Sequence, residues 1–159
     1  MLEANANPFY SFLYSPIFLS TFFSWFIAQI MKSIIEVLKK RPHPAKLILK
    51  TIFWTTGGMP SSHSSVVTAL ATSVGFEEGI DSALFIVLLF YGLLTIRDAL
   101  GVRRAAGSQA KLINQMGKEL SNRFGITVKS VKEIHGHTTS EVSVGILIGF
   151  FISVAFCNL

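Results

Sequence analysis

Cysteine is almost absent from this chain, with Cys157 the only one among 159 residues. A single thiol excludes an intrachain disulfide, a zinc ribbon and a redox pair. Any metal would have to be held by His, Asp or Glu. Charge is scarce too, at 14% Asp, Glu, Lys and Arg. The cations are also confined: every Lys and Arg lies between Lys32 and Lys50 or between Arg97 and Lys132. So little charge beside 50% hydrophobic residues and a mean hydropathy of +0.53 excludes a disordered chain and a nucleic-acid-binding tail. Neither internal repeats nor low-complexity tracts are present, and the length fits one domain over residues 1–159. The formal charge of +5 points to an anionic partner, a phosphate compound or a lipid surface, and not to nucleic acid.

What is abundant is long apolar sequence. Four stretches stand out, Phe9 to Met31, Ser61 to Phe76, Ser82 to Ile96 and Val142 to Leu159. A bilayer crossing needs about 20 apolar residues, so the first and last fit well and the middle two are short. If all four cross, the connections alternate between basic loops and an acidic turn of Glu77, Glu78 and Asp81. Basic residues are kept on the cytoplasmic side of membranes, which predicts both termini on the other side. The first stretch lacks the basic start and small-residue cleavage site of a secretory signal. From Arg103 to about Phe124, apolar residues recur at helical spacing among Lys111, Lys118 and Arg123, predicting an amphipathic helix on the basic side that Gly125 ends. Arg41-Pro42-His43-Pro44 breaks the first helical region, and Lys46 to Trp54 fits a short interfacial helix. The expected fold is all-α: about four transmembrane helices plus the amphipathic helix. Its rival is a soluble bundle of unusually apolar helices.

Three groups of residues carry chemistry. In Gly57-Gly58-Met59-Pro60-Ser61-Ser62-His63-Ser64-Ser65 a turn and hydroxyl residues open an apolar helix. Free N–H groups and the positive end of the helix dipole favour an anion there, whereas capping by Ser61 or Ser62 is the structural alternative. In His135-Gly136-His137-Thr138-Thr139-Ser140-Glu141, His137 and Glu141 stand four apart. On a helix the carboxylate would bond the imidazole Nδ1–H and leave Nε2 free to attack. Thr138-x-x-Glu141 is equally a capping box, and a metal reading of His135-x-His137 is the weakest of the three. The third group is basic: Lys32, Arg41, Arg97, Arg103 and Arg104. Arginines suit phosphoryl oxygens, but each alone also serves as a topology signal or lipid contact, and Arg97 has a neutral explanation in pairing with Asp98. The topology, drawn without reference to histidine, puts Lys32, Arg41, His63, Arg97, Arg103, Arg104, His137 and Glu141 at one membrane face.

Lys32 with Arg41-Pro42, Pro60-Ser61-Ser62-His63, and an arginine followed by His137-x-x-x-Glu141 resemble the three signature motifs of the type 2 phosphatidic acid phosphatase and vanadium haloperoxidase superfamily. Gly57 to Ser64, Arg97 to Ala110 and Gly136 to Val142 look more closely like its divergent branch of small membrane proteins. The resemblance runs from about Ala28 through Gly149. Departures are visible: eight residues separate Lys32 from Arg41, two more than in the superfamily, Ser62 stands for its usual Gly, and Glu141 for its Asp. The arginine also precedes His137 by a whole helix instead of lying close to it.

The resemblance implies a phosphatase acting on a phosphate monoester or lipid phosphate, with His137 as nucleophile, His63 as acid and base, and Glu141 orienting His137. Lys32, Arg41, Ser61, Ser62, Arg103 and Arg104 would bind the phosphate, with neither metal nor other cofactor. The rival functions are a non-catalytic membrane scaffold or assembly subunit, and a lipid-phosphate-binding protein keeping the fold. Gly145 and Gly149, four apart, fit a packing face that a homo-oligomer would use.

Overall fold

A computed structural model of the chain describes residues 7–39, 58–133 and 136–159. Among them are six helices and no strand, as the expected all-α fold requires. They are α1 Pro8–Leu13, α2 Pro16–Lys39, α3 Ser62–Glu77, α4 Ala83–Leu100, α5 Val102–Phe124 and α6 Thr139–Cys157. The break at Arg41-Pro42-His43-Pro44 and the short helix expected over Lys46 to Trp54 lie outside the described residues.

The first apolar stretch is not one helix. Asn7 caps α1 by accepting from the Phe9 N–H at 3.1 Å, and α1 ends at Tyr14 after six residues. A new helix then opens on Pro16, where a missing N–H costs nothing. Ser82 caps α4 by accepting from the Phe85 N–H at 3.2 Å. Gly125, in the left-handed region at φ 67°, stops α5.

Among the described residues three helical stretches are long and apolar enough to cross a membrane: Pro16–Leu38, the stretch beginning at Ala83, and Thr139–Cys157. The expected count of about four crossings is approximate, and of the two stretches read as short it is the first that falls below this length. α3 has 16 residues, about 24 Å at 1.5 Å rise, short of a hydrocarbon core of about 30 Å. It is the inner helix, packed against α2, α4 and α6.

The packing is inside-out by the standards of a water-soluble bundle. On α2 the buried residues are Ser20, Ser24, Ala28, Gln29, Lys32 and Ser33, while Phe22, Phe23, Phe26, Ile30 and Ile34 face outward. The largest fully buried side chains anywhere described are Val74 and Pro60, the rest being serines. A soluble protein buries its large apolar groups; helices associating in lipid instead bring small residues together and tie them with hydroxyls. Here Ser24 Oγ bonds the Ser65 carbonyl at 3.1 Å, and Ser153 Oγ bonds the Ala69 carbonyl at 2.8 Å. This sets the soluble-bundle alternative aside.

The glycine pair of α6 belongs to the same seam. A Cβ at Gly145 would land on the Ser61 carbonyl oxygen, and one at Gly149 on that of Ser65, both well inside contact distance. Gly145 and Gly149 thus let α6 lie directly on α3 of the same chain. The packing face read from their spacing is internal, not a surface offered to a second copy.

Candidate functional site

Five helix ends meet at one end of the bundle: the C-terminal part of α2, the start of α3, the end of α4, the start of α5 and the start of α6. Backbone bonds fix this junction. The Ser61 N–H donates to the Glu141 carbonyl at 2.9 Å, joining the start of α3 to the first turn of α6, and the His137 N–H donates to the Ala99 carbonyl at 3.2 Å, docking the entry to α6 on α4.

His137 reaches this place by a long return. From Gly125 to Glu133 the chain runs back along α5 without helix. Asn114 holds it as a neighbouring strand would: its Oδ1 accepts the Val131 N–H at 2.8 Å and its Nδ2 donates to the Val131 carbonyl at 2.8 Å and to Glu133 at 2.9 Å. A Cβ on Gly117 would sit 3.1 Å from the Val128 side chain, and one on Gly136 would fall on the Arg104 backbone. An extended chain rises about 3.3 Å per residue against about 1.5 Å in a helix. The return therefore spans in half as many residues what α5 covers, and delivers His137 beside the first turn of the helix that separates it from Arg104 in sequence.

His137 is 5% exposed, with Nδ1 3.1 Å from Glu141 Oε2. A carboxylate only accepts, so the neutral ring carries its proton on Nδ1 and leaves Nε2 with its lone pair. The same Oε2 accepts the Thr138 N–H at 3.0 Å, and Thr138 Oγ1 accepts from the Glu141 N–H at 3.4 Å. The two sequence readings of Glu141, capping box and imidazole partner, hold together in one side chain.

His63, in the first turn of α3, is exposed. Its imidazole is held below the usual histidine range, first by lost hydration and then by the positive charge of Arg103, with His137 and Lys32 adding to it and Asp98 opposing. Arg103, His137 and Lys32 are thus the cationic groups whose fields reach it. Lys32 is 3% exposed, with Glu36 and Glu141 acting on its ammonium. Its stem passes Gly58, whose φ of 89° suits only glycine and where a Cβ would stand 3.9 Å from Lys32 Cε.

The remaining sequence candidates divide. Ser61 is the cap of α3, accepting from Ser64 Oγ at 2.9 Å and from the Ser64 N–H at 3.4 Å. It is fully buried, and its Oγ and N–H both take part in the junction. Ser62 follows at the first helical position, 6% exposed. Among the described residues the N–H groups of Ser62 and His63 meet no acceptor, which leaves them to an anion. Arg103 and Arg104 are exposed at the start of α5. Arg41 lies outside the described residues, as does His135. Among the described residues no three His, Cys, Asp or Glu side chains gather as metal ligands.

Sequence reasoning missed two members. Asp98 does not pair with Arg97; its Oδ2 receives Arg103 Nε at 2.7 Å across the Gly101 bend. That spacing of five residues lies outside the helical pairs at three and four, which is why the neighbour in sequence drew attention instead. Gln29, 8% exposed, has a side-chain oxygen without a hydrogen-bond partner among the described residues, one helical turn before Lys32. A glutamine within a membrane-length helix was its available signal.

Comparison with known proteins bears on the same residues. The profile of a family described as "Divergent PAP2 family" matches residues 13–152. The chain is similar to YuiD of Bacillus subtilis (strain 168), described as an uncharacterized membrane protein, at 38% identity over 148 residues, which is 86% of this chain and 90% of that relative. No solved structure matches.

Proposed function

Because this chain belongs to the divergent PAP2 family and is an integral membrane protein, we propose that it is a membrane phosphatase acting on a phosphate monoester or lipid phosphate, through a phosphohistidine on His137. The observation that carries this reading is the buried His137 ring, fixed through Nδ1 by Glu141 at the junction where the starts of α3 and α6 are bonded together.

In the first step His137 Nε2 attacks phosphorus and the bond to the leaving oxygen breaks, while protonated His63 gives that oxygen its proton. In the second, His63 takes a proton from water. The water oxygen bonds phosphorus, the N–P bond breaks, and inorganic phosphate leaves with His137 restored. Lys32, Arg41, Arg103 and Arg104, with Ser62 and the N–H groups opening α3, spread the charge of the phosphoryl oxygens. Asp98 holds the Arg103 guanidinium through Nε. The confinement of cations to one end supports a site on the cytoplasmic face.

A second reading, a non-catalytic scaffold or lipid-phosphate-binding protein, draws on the depth of His137 and on the capping work of Glu141. Phosphate release from a phosphatidate-type amphiphile by purified protein separates the two. The parent should turn over and be inhibited by vanadate, His137→Ala should be inactive, and His63→Ala should lose about 10²- to 10⁴-fold. Equal release by parent and His137→Ala would end the phosphatase reading, and binding of the amphiphile without release would select the second.

A further inference from the structure

Among the described helices, α5 touches only α4, and it carries an apolar stripe that no described residue covers. Val102, Leu112, Ile113, Met116, Leu120 and Phe124 are each 40–69% exposed. At 100° per residue they fall within one third of the helix circumference. The return segment closes a flank of α5, at Asn114 and Gly117, but leaves this stripe open and adds Ile126, Val128 and Val131 of its own, all exposed. Arg104, Lys111 and Lys118 lie on the opposite arc.

Place and charge decide what occupies the stripe. α5 begins two residues after α4, a membrane-crossing helix, ends at Leu100, so its first turn stands where the bilayer meets water. Over Val102–Phe124 there are five Lys or Arg and one Glu, a net of +4. A second copy docked stripe to stripe would leave the positive row, on the opposite arc, without an anionic partner. Phosphate-bearing headgroups would complement it.

We propose that α5 and its return segment form a docking surface for the anionic headgroup layer of the bilayer the chain spans, with the apolar stripe among acyl chains and the lysines at headgroup level. The surface operates whether or not the neighbouring site turns over substrate.

Full-length protein with Cys157→Ser, reconstituted in phosphatidylcholine vesicles with and without phosphatidylglycerol, tests it through single labels at Leu112→Cys, Met116→Cys and Lys111→Cys. In anionic vesicles the stripe labels should be quenched from the lipid phase and the Lys111 position from water. Lys111→Gln with Lys118→Gln should lower the docked-to-undocked ratio about 25-fold, about fivefold for each charge removed. Water-accessible stripe labels in anionic vesicles would overturn the proposal. So would docking indifferent to both phosphatidylglycerol and the lysines, or cross-linking of Met116→Cys between copies.

Discussion

The seam between α2, α3 and α6 and the hairpin of α5 with its return segment are held in opposite ways. In the seam, glycine backbone lies on carbonyl oxygens and serine hydroxyls bridge helices, so contact is distributed over many small groups that allow no extra atom. In the hairpin, one carboxamide, that of Asn114, fastens an exposed extended chain. The first region fails by intrusion and the second by release. His137 hangs from the end of the second while Glu141 is bonded into the first.

The largest effect should follow from intrusion. Gly149→Leu should push α6 off α3 and cost about 3 kcal/mol or more, read as loss of monodisperse protein in detergent and a lowered thermal midpoint. Phe150→Leu, on the exposed side of the same helix, should stay within about 0.5 kcal/mol. Equal effects of the two would erase the distinction between seam and surface. Release should be smaller and local. Asn114→Ala should cost about 1–3 kcal/mol of local opening, seen as faster amide hydrogen exchange over residues 126–133 with α2, α3 and α6 unchanged. If exchange quickens in the seam as well, the two regions are one cooperative unit.

The smallest expected effect is a titration at their junction. Lost hydration and neighbouring cations hold His63 low, so its ring is neutral near pH 7 in the free protein. An anion bound among the same cations cancels their repulsion and favours the protonated ring, raising its pKa. Activity that uses His63 as acid would then decline as pH rises through that higher value. Ring resonances followed by NMR with and without orthovanadate measure the shift, and an unmoved pKa would detach His63 from the anion.

Much of this was legible from sequence, and the reasons are physical. Confinement of cations to two windows predicted that Lys32, Arg103 and Arg104 share an end, because topology follows charge over whole loops. Thr138, Glu141 and Gly125 marked helix limits, because caps act within one turn. The division of the first span at Tyr14 was missed, since aromatic residues continue unbroken across it. The serine interior was missed because a hydroxyl facing a neighbouring helix and one facing its own carbonyl have the same spacing. Asn114 and Asp98 were missed for a shared reason: their partners, Val131 and Arg103, become neighbours only once the chain has bent.

One oxygen atom of Glu141 serves both a helix start and an imidazole. The two tasks therefore share a single point of failure. A side chain one methylene shorter would have to choose between them, so the superfamily's aspartate is not interchangeable at this position. To change how the histidine is steered, the chain would first have to find another way to begin its last helix.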